Sequence, residues 1–123
     1  MTGAVTEIAG VCAYVCAAEG APIASDRDAA DLVGETLGHE ARLVVIPLAR
    51  LSPGFLDLKT GLAGAVLQKF VNYRRQVVIL GDISAAVAGS GPLRDFVRES
   101  NRGRTVWFVP DLAALEAKLA AAC

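Results

Sequence analysis

Asp57, Lys59, Thr60 and Asp82 bring two carboxylates, an ammonium and a hydroxyl into one run, FLDLKTGLAGAVLQKFVNYRRQVVILGD (residues 55–82). Such a set can bind a small polar molecule, or divide acid and base work between its carboxylates, if the fold brings the four together. Thr60 is in addition a candidate phosphosite. Beside a helix start, a phosphate carrying about -1.5 to -2 charges would meet free N–H groups and the positive end of the helix dipole. Lys59 would add a cation there, while Asp57 would oppose the phosphate. Capping is the plainer role, since either Asp57 or Thr60 can accept a hydrogen bond from the first helical N–H groups.

A second polar group follows: Asn72, Tyr73, Arg74 and Arg75, and later Glu99, Ser100, Asn101 and Arg102. Both quartets close helices that lead into neighbouring strands, so Tyr73, Arg74, Glu99 and Asn101 are expected side by side. The helix dipole alone also explains arginine at a helix C-terminus. Catalytic signatures are missing. No G-x-S-x-G, P-loop or G-x-G-x-x-G occurs, and the single histidine, His39, falls in a loop with no cysteine or carboxylate at metal-ligand spacing. The pattern therefore assigns no catalytic residue, no metal and no cofactor.

What must hold these side chains is an α/β sheet. Residues 42–48 (RLVVIPL), 76–80 (QVVIL) and 105–109 (TVWFV) are short, almost unbroken apolar runs separated by segments of helical periodicity. That is the pattern of parallel strands covered on both faces and joined by right-handed crossovers. Ahead of them, residues 5–8 and 11–17 form two β-prone runs joined at Ala9-Gly10, a hairpin. Ser25 with Asp28, Ser90-Gly91-Pro92 and Asp111 start helices, and Gly38 and Gly103 end them. The expected order is ββαβαβαβα: about five mostly parallel strands with an N-terminal hairpin and four flanking helices, in one α/β domain over residues 1–123.

Taking 100° per residue from Leu58, the residues Leu62, Ala63, Val66, Leu67, Phe70, Val71 and Tyr73 fill the inner half of the central helix. The opposite arc holds Gly61, Gly64, Gln68 and Asn72, with Asp57 at its start. Two glycines inside a helix cost about 1 kcal/mol each relative to alanine. Close approach by a partner helix, another backbone or a ligand would give them a reason; a frayed, exposed first turn would need none.

At 123 residues, 54% of them hydrophobic, the chain can bury about two-thirds of its unfolded surface in one core. A net charge of -1 and a pI of about 5.8 remove the bulk electrostatic case for nucleic acid or an anionic membrane. No apolar run approaches the roughly 20 residues of a membrane span, so the cytoplasm is the expected compartment. Three cysteines make no disulfide framework. Cys12 and Cys16, four apart in a strand, stand about 13 Å from each other, too far to bond; a core or edge role is the plain reading of the cysteines, and oxidation chemistry or pairing of Cys123 between chains is the alternative.

The runs DLKTGLAGAVLQKFVNYR (residues 57–74), VVILGD (77–82), LRDFVRESNRGR (93–104) and WFV (107–109) strongly resemble the bacterial family called domain of unknown function 4180. The resemblance covers most of the chain in unbroken order and implies a relative, not an activity. The element order also looks like the STAS/SpoIIAA-like fold of anti-sigma factor antagonists. There, an acid, one or two hydroxyls and Gly-Leu open the corresponding helix, and a partner kinase phosphorylates a hydroxyl. Asp57, Thr60, Gly61 and Leu62 fall in a similar arrangement, with Leu58-Lys59 inserted between acid and hydroxyl.

The resulting expectation is a non-catalytic regulatory or protein-interaction module. It would act through the start and outer face of the central helix, on a protein partner or by self-association. The alternative is a small-molecule-binding protein or minor enzyme using Asp57, Lys59, Thr60 and Asp82 at the C-terminal edge of the sheet, where open α/β sheets collect ligands. A pocket uniting those four residues would favour the alternative, and a flat exposed face the module.

Overall fold

Ala9 and Gly10 have φ values of 50° and 81°, left-handed at both positions as a two-residue hairpin turn requires. Strands β1 (Gly3–Ile8) and β2 (Val11–Cys16) therefore pair antiparallel, from Ile8↔Val11 to Gly3↔Cys16. The structure, a computed structural model, describes residues 3–39 and 41–122, Ala122 by its backbone alone. Cys123 and its expected pairing lie outside the described residues.

After the hairpin come α1 (Asp26–Leu37), β3 (Leu43–Pro47), α2 (Leu62–Asn72), β4 (Gln76–Leu80), α3 (Ser84–Ala88), α4 (Gly91–Arg102), β5 (Val106–Val109) and α5 (Leu112–Ala122). The sheet order is β1-β2-β3-β4-β5, and the pairs from β2 to β5 are parallel. Caps act where their residue types suggest. Ser25 Oγ accepts from the Asp28 N–H at 3.2 Å, Ser90 Oγ from that of Leu93 at 3.2 Å, and Asp111 Oδ1 from that of Ala114 at 2.8 Å.

Three expectations are corrected. Five α-helices flank the sheet, not four: α3 is a five-residue helix, too short to display a period. The central helix also begins later than its apolar pattern suggests, because 3-10 turns occupy Pro53–Leu56 and Leu58–Thr60, and Gly61 sits at φ 73°. That left-handed residue breaks the helical path, so α2 starts at Leu62. At its far end Tyr73 is 52% exposed rather than inward, since it follows the last helical turn.

Each β-α unit advances one strand along the sheet, and the three long crossover helices share one face. There Val66, Leu67 and Phe70 of α2 and Leu32 and Val33 of α1 meet Tyr14, Val44, Ile46, Val77, Ile79 and Phe108, with Phe96 and Val97 of α4 at the margin. The other face belongs to α5, whose Leu115 and Leu119 cover Leu43, Val45, Val78, Trp107 and Val109. Successive strand residues point to opposite faces, so β3, β4 and β5 feed both clusters and need apolar residues throughout.

Candidate functional site

Asp57 and Thr60 are spent first on their own loop. Asp57 Oδ1 accepts the Lys59 N–H at 3.1 Å, capping the short turn Leu58–Thr60. Thr60 Oγ1 lies 2.9 Å from the Gly54 carbonyl and 2.8 Å from that of Asp57, into which it donates, and it accepts the Leu62 N–H at 3.2 Å. Thr60 is thus the hydroxyl at the opening of α2, although Gly61 occupies the N-cap position. Both side chains remain exposed, as does Lys59.

Asp82 does a different job. Its Oδ1 accepts the Ser84 N–H at 2.9 Å and so starts α3, and hydrogen bonds from Ser84, side chain before backbone, hold its carboxyl below the usual carboxylate range. Asp82 borders a cavity of about 280 Å³ with Ile83, Val97, Phe108 and Pro110, which Asp57, Lys59 and Thr60 do not line. The pocket uniting all four is not among the cavities seen at this edge.

The outer face of α2 is open. Gly61, Gly64, Gln68 and Asn72 are exposed, and among the described residues the only side-chain bond along them is Gln68 Nε2 to Asn72 Oδ1 at 2.8 Å, one helical turn apart. A β-carbon built on Gly64 would meet nothing within 4 Å. With Asp57, Lys59 and Thr60 at its head, this makes an exposed polar strip of small and medium side chains.

The second polar group comes apart. Asn101 turns onto β5, accepting the Phe108 N–H at 2.8 Å and donating to the Phe108 carbonyl at 3.3 Å. Glu99 reaches Arg102 at 3.8 Å on the exposed side of α4. Arg74, at φ 56°, lines instead a cavity with Arg42, Arg75 and Arg104. Each β5-side contact of this end is structural: Lys118 Nζ donates to the Asn101 carbonyl at 3.0 Å and lies 4.8 Å from the Trp107 ring centroid, and Trp107 Nε1 donates to the Gly103 carbonyl at 2.8 Å.

Sequence reasoning passed over Arg50, the one buried arginine among the described residues at 3% exposure. Its Nε donates to the Ala21 carbonyl at 2.9 Å and its Nη1 to that of Ala17 at 3.1 Å, tying down the loop after β2. Gly20, at φ 133°, leaves room for it, since a β-carbon there would lie 2.9 Å from the guanidinium carbon. Nothing local separates Arg50 from the other arginines. Burial pushes the neighbouring Cys16 thiol up to about 12, against the pull of Arg50 and with a further rise from Glu35. Burial likewise raises Tyr14, whose hydroxyl donates to Glu35 Oε2 at 3.3 Å. Among the described residues no group of three or more His, Cys, Asp or Glu is arranged to hold a metal, and no helix is long and apolar enough to cross a membrane.

Fold and site together define a mixed α/β protein with a five-stranded, mostly parallel sheet and an exposed polar strip along its central helix. A family model described as a domain of unknown function (DUF4180) matches residues 8–119, and the chain belongs to that family. Neither a curated protein nor a solved structure matches it.

Proposed function

We propose that this is a non-catalytic regulatory or interaction module, cytoplasmic, that engages a protein partner through the head and outer face of α2. The observation that carries the reading is the exposure of all seven residues of the strip, Asp57, Lys59, Thr60, Gly61, Gly64, Gln68 and Asn72. Small side chains on a helix let another backbone approach closely, and Gly64 has empty space before it. A STAS/SpoIIAA-like arrangement belongs to the same proposal, supported by a hairpin followed by β-α units that advance strand by strand.

Within this reading Thr60 is the switch. Its hydroxyl is exposed yet bonded to the turn, so a phosphate would remove the donated hydrogen bond and place about -1.5 to -2 charges beside Asp57. The turn would rearrange and change the head of the strip. Peptide-level mass spectrometry of protein from its native cells should find the modification on Thr60; its absence under every growth condition sinks the switch but leaves the docking face.

The face itself is tested with Gly64→Leu in the full chain, which adds bulk where the structure is empty. Sedimentation velocity and affinity capture from the native cells should both be run against wild type. The variant is expected to keep or slightly raise its Tm while losing either self-association or the captured partner. Identical behaviour in both assays overturns the module.

A further inference from the structure

Each of the strands β3, β4 and β5 is entered past an arginine, and the register sets these arginines in a row. Leu43 pairs with Gln76, and Val77 with Val106. Carried just beyond the strand ends, the same ladders set Arg42 beside Arg75 and Arg75 beside Arg104. Backbone bonds hold the edge at that level, from the Gln76 N–H to the Arg42 carbonyl at 2.8 Å and from the Val77 N–H to the Thr105 carbonyl at 2.9 Å. Neighbouring strands lie about 4.8 Å apart, so three like charges stand where like charges directly opposite are destabilising.

Arg74 adds a fourth, and all four border one cavity of about 360 Å³ whose lining, among the described residues, includes Val71 and Gln76 but no carboxylate. The two ion pairs among the described residues, Arg98 with Asp95 and Arg102 with Glu99, leave these four out. Of the four, Arg75 alone has side-chain hydrogen bonds to described residues, from Nε to Thr36 Oγ1 at 3.3 Å and from Nη1 to the Tyr73 carbonyl at 3.5 Å. The C-terminal dipole of α2 accounts for Arg74 and Arg75 at most, because Arg42 and Arg104 follow other elements.

We propose that this cavity binds a compact polyanion carrying phosphate groups, of the pyrophosphate or bisphosphate class. Guanidinium forks match phosphate oxygens in pairs, and a multiply charged anion between the arginines turns their mutual repulsion into attraction. A volume of about 360 Å³, open to solvent, suits a small ligand. Among the described residues no aromatic side chain lines the cavity to stack a base, and the chain as a whole carries a net charge of -1, so a long nucleic acid would find little beyond these four cations. This site lies at the N-terminal edge of the parallel strands and is independent of the α2 strip.

Calorimetry of the full chain with sodium pyrophosphate at fixed ionic strength tests it. Saturable one-to-one binding is expected, with inorganic phosphate weaker. Arg42→Gln and Arg104→Gln should each weaken binding by about tenfold, the loss of one charge-assisted hydrogen bond, without lowering the ligand-free Tm. Arg104→Lys should fall between glutamine and wild type, since it keeps the charge and loses the fork. Arg98→Gln, on the exposed side of α4, should bind as wild type. No saturable binding, equal weakening by Arg98→Gln, or wild-type affinity in both Arg42→Gln and Arg104→Gln overturns the site. Tighter binding of a single-stranded oligonucleotide or of anionic vesicles, lost in the same variants, overturns the compact ligand class.

Discussion

Gly61 and Gly64 share a face of one segment, yet their physical reasons differ. Gly61 stands at φ 73°, where a β-carbon brings strain of about 1–2 kcal/mol, so Gly61→Ala should lower stability by roughly that amount. Gly64 is an interior helical residue, and a methyl carbon added to it would stand clear of every neighbour within 4 Å; Gly64→Ala should raise stability by up to about 1 kcal/mol. Urea midpoints of the two variants should therefore move in opposite directions. Cys16 gives a pH dependence. Its thiol rises from 9.0 to about 12 on folding, so the unfolded chain loses the proton first. The neutral thiol's contribution is complete below about pH 9 and is lost as pH climbs towards 12, with a limiting slope of about 1.4 kcal/mol per unit. Wild type and Cys16→Ala should consequently draw closer in unfolding free energy as pH is raised through that window. A constant gap would mean that the thiol does not carry the effect.

At the scale of elements, β5 is an edge strand, and its outward N–H and C=O groups invite pairing with another chain. Asn101, in the last turn of α4, answers Phe108 with both an acceptor and a donor, as a neighbouring strand would. Asn101→Ala should cost about 1–3 kcal/mol and speed hydrogen exchange at the Phe108 amide; unchanged exchange there would contradict the edge-closing role. The same pairing turns Asn101 onto β5, out of the group expected with Tyr73, Arg74 and Glu99. Caps at Ser25, Ser90 and Asp111 were legible because each works within three residues of its partner. The start of α2 was not, since Phe55, Leu58 and Leu62 are spaced like a helix although Asp57, Thr60 and Gly61 fold the segment into tight turns.

Across the whole molecule, burial ranks the central helix more finely than its wheel. Leu67 is 4% exposed, whereas Leu62 is only partly buried. Leu67→Ala should cost about 2–5 kcal/mol and Leu62→Ala clearly less, an order that chemical denaturation of the two variants checks directly. The unbroken apolar runs, the hairpin turn and the helix caps were written in the sequence because they depend on period, φ and neighbours a few residues away. Those suffice for five strands in order, the antiparallel hairpin, the parallel pairing of the rest and the exposed arc from Gly61 to Asn72. Which polar residues meet was decided only by tertiary structure. Asp57 and Asp82 went to separate turns, Arg50 went inside to hold a loop, and Arg42, Arg75 and Arg104 fell into line, because register between strands far apart in the chain is set by the packing of both sheet faces and leaves no mark in any local stretch of sequence.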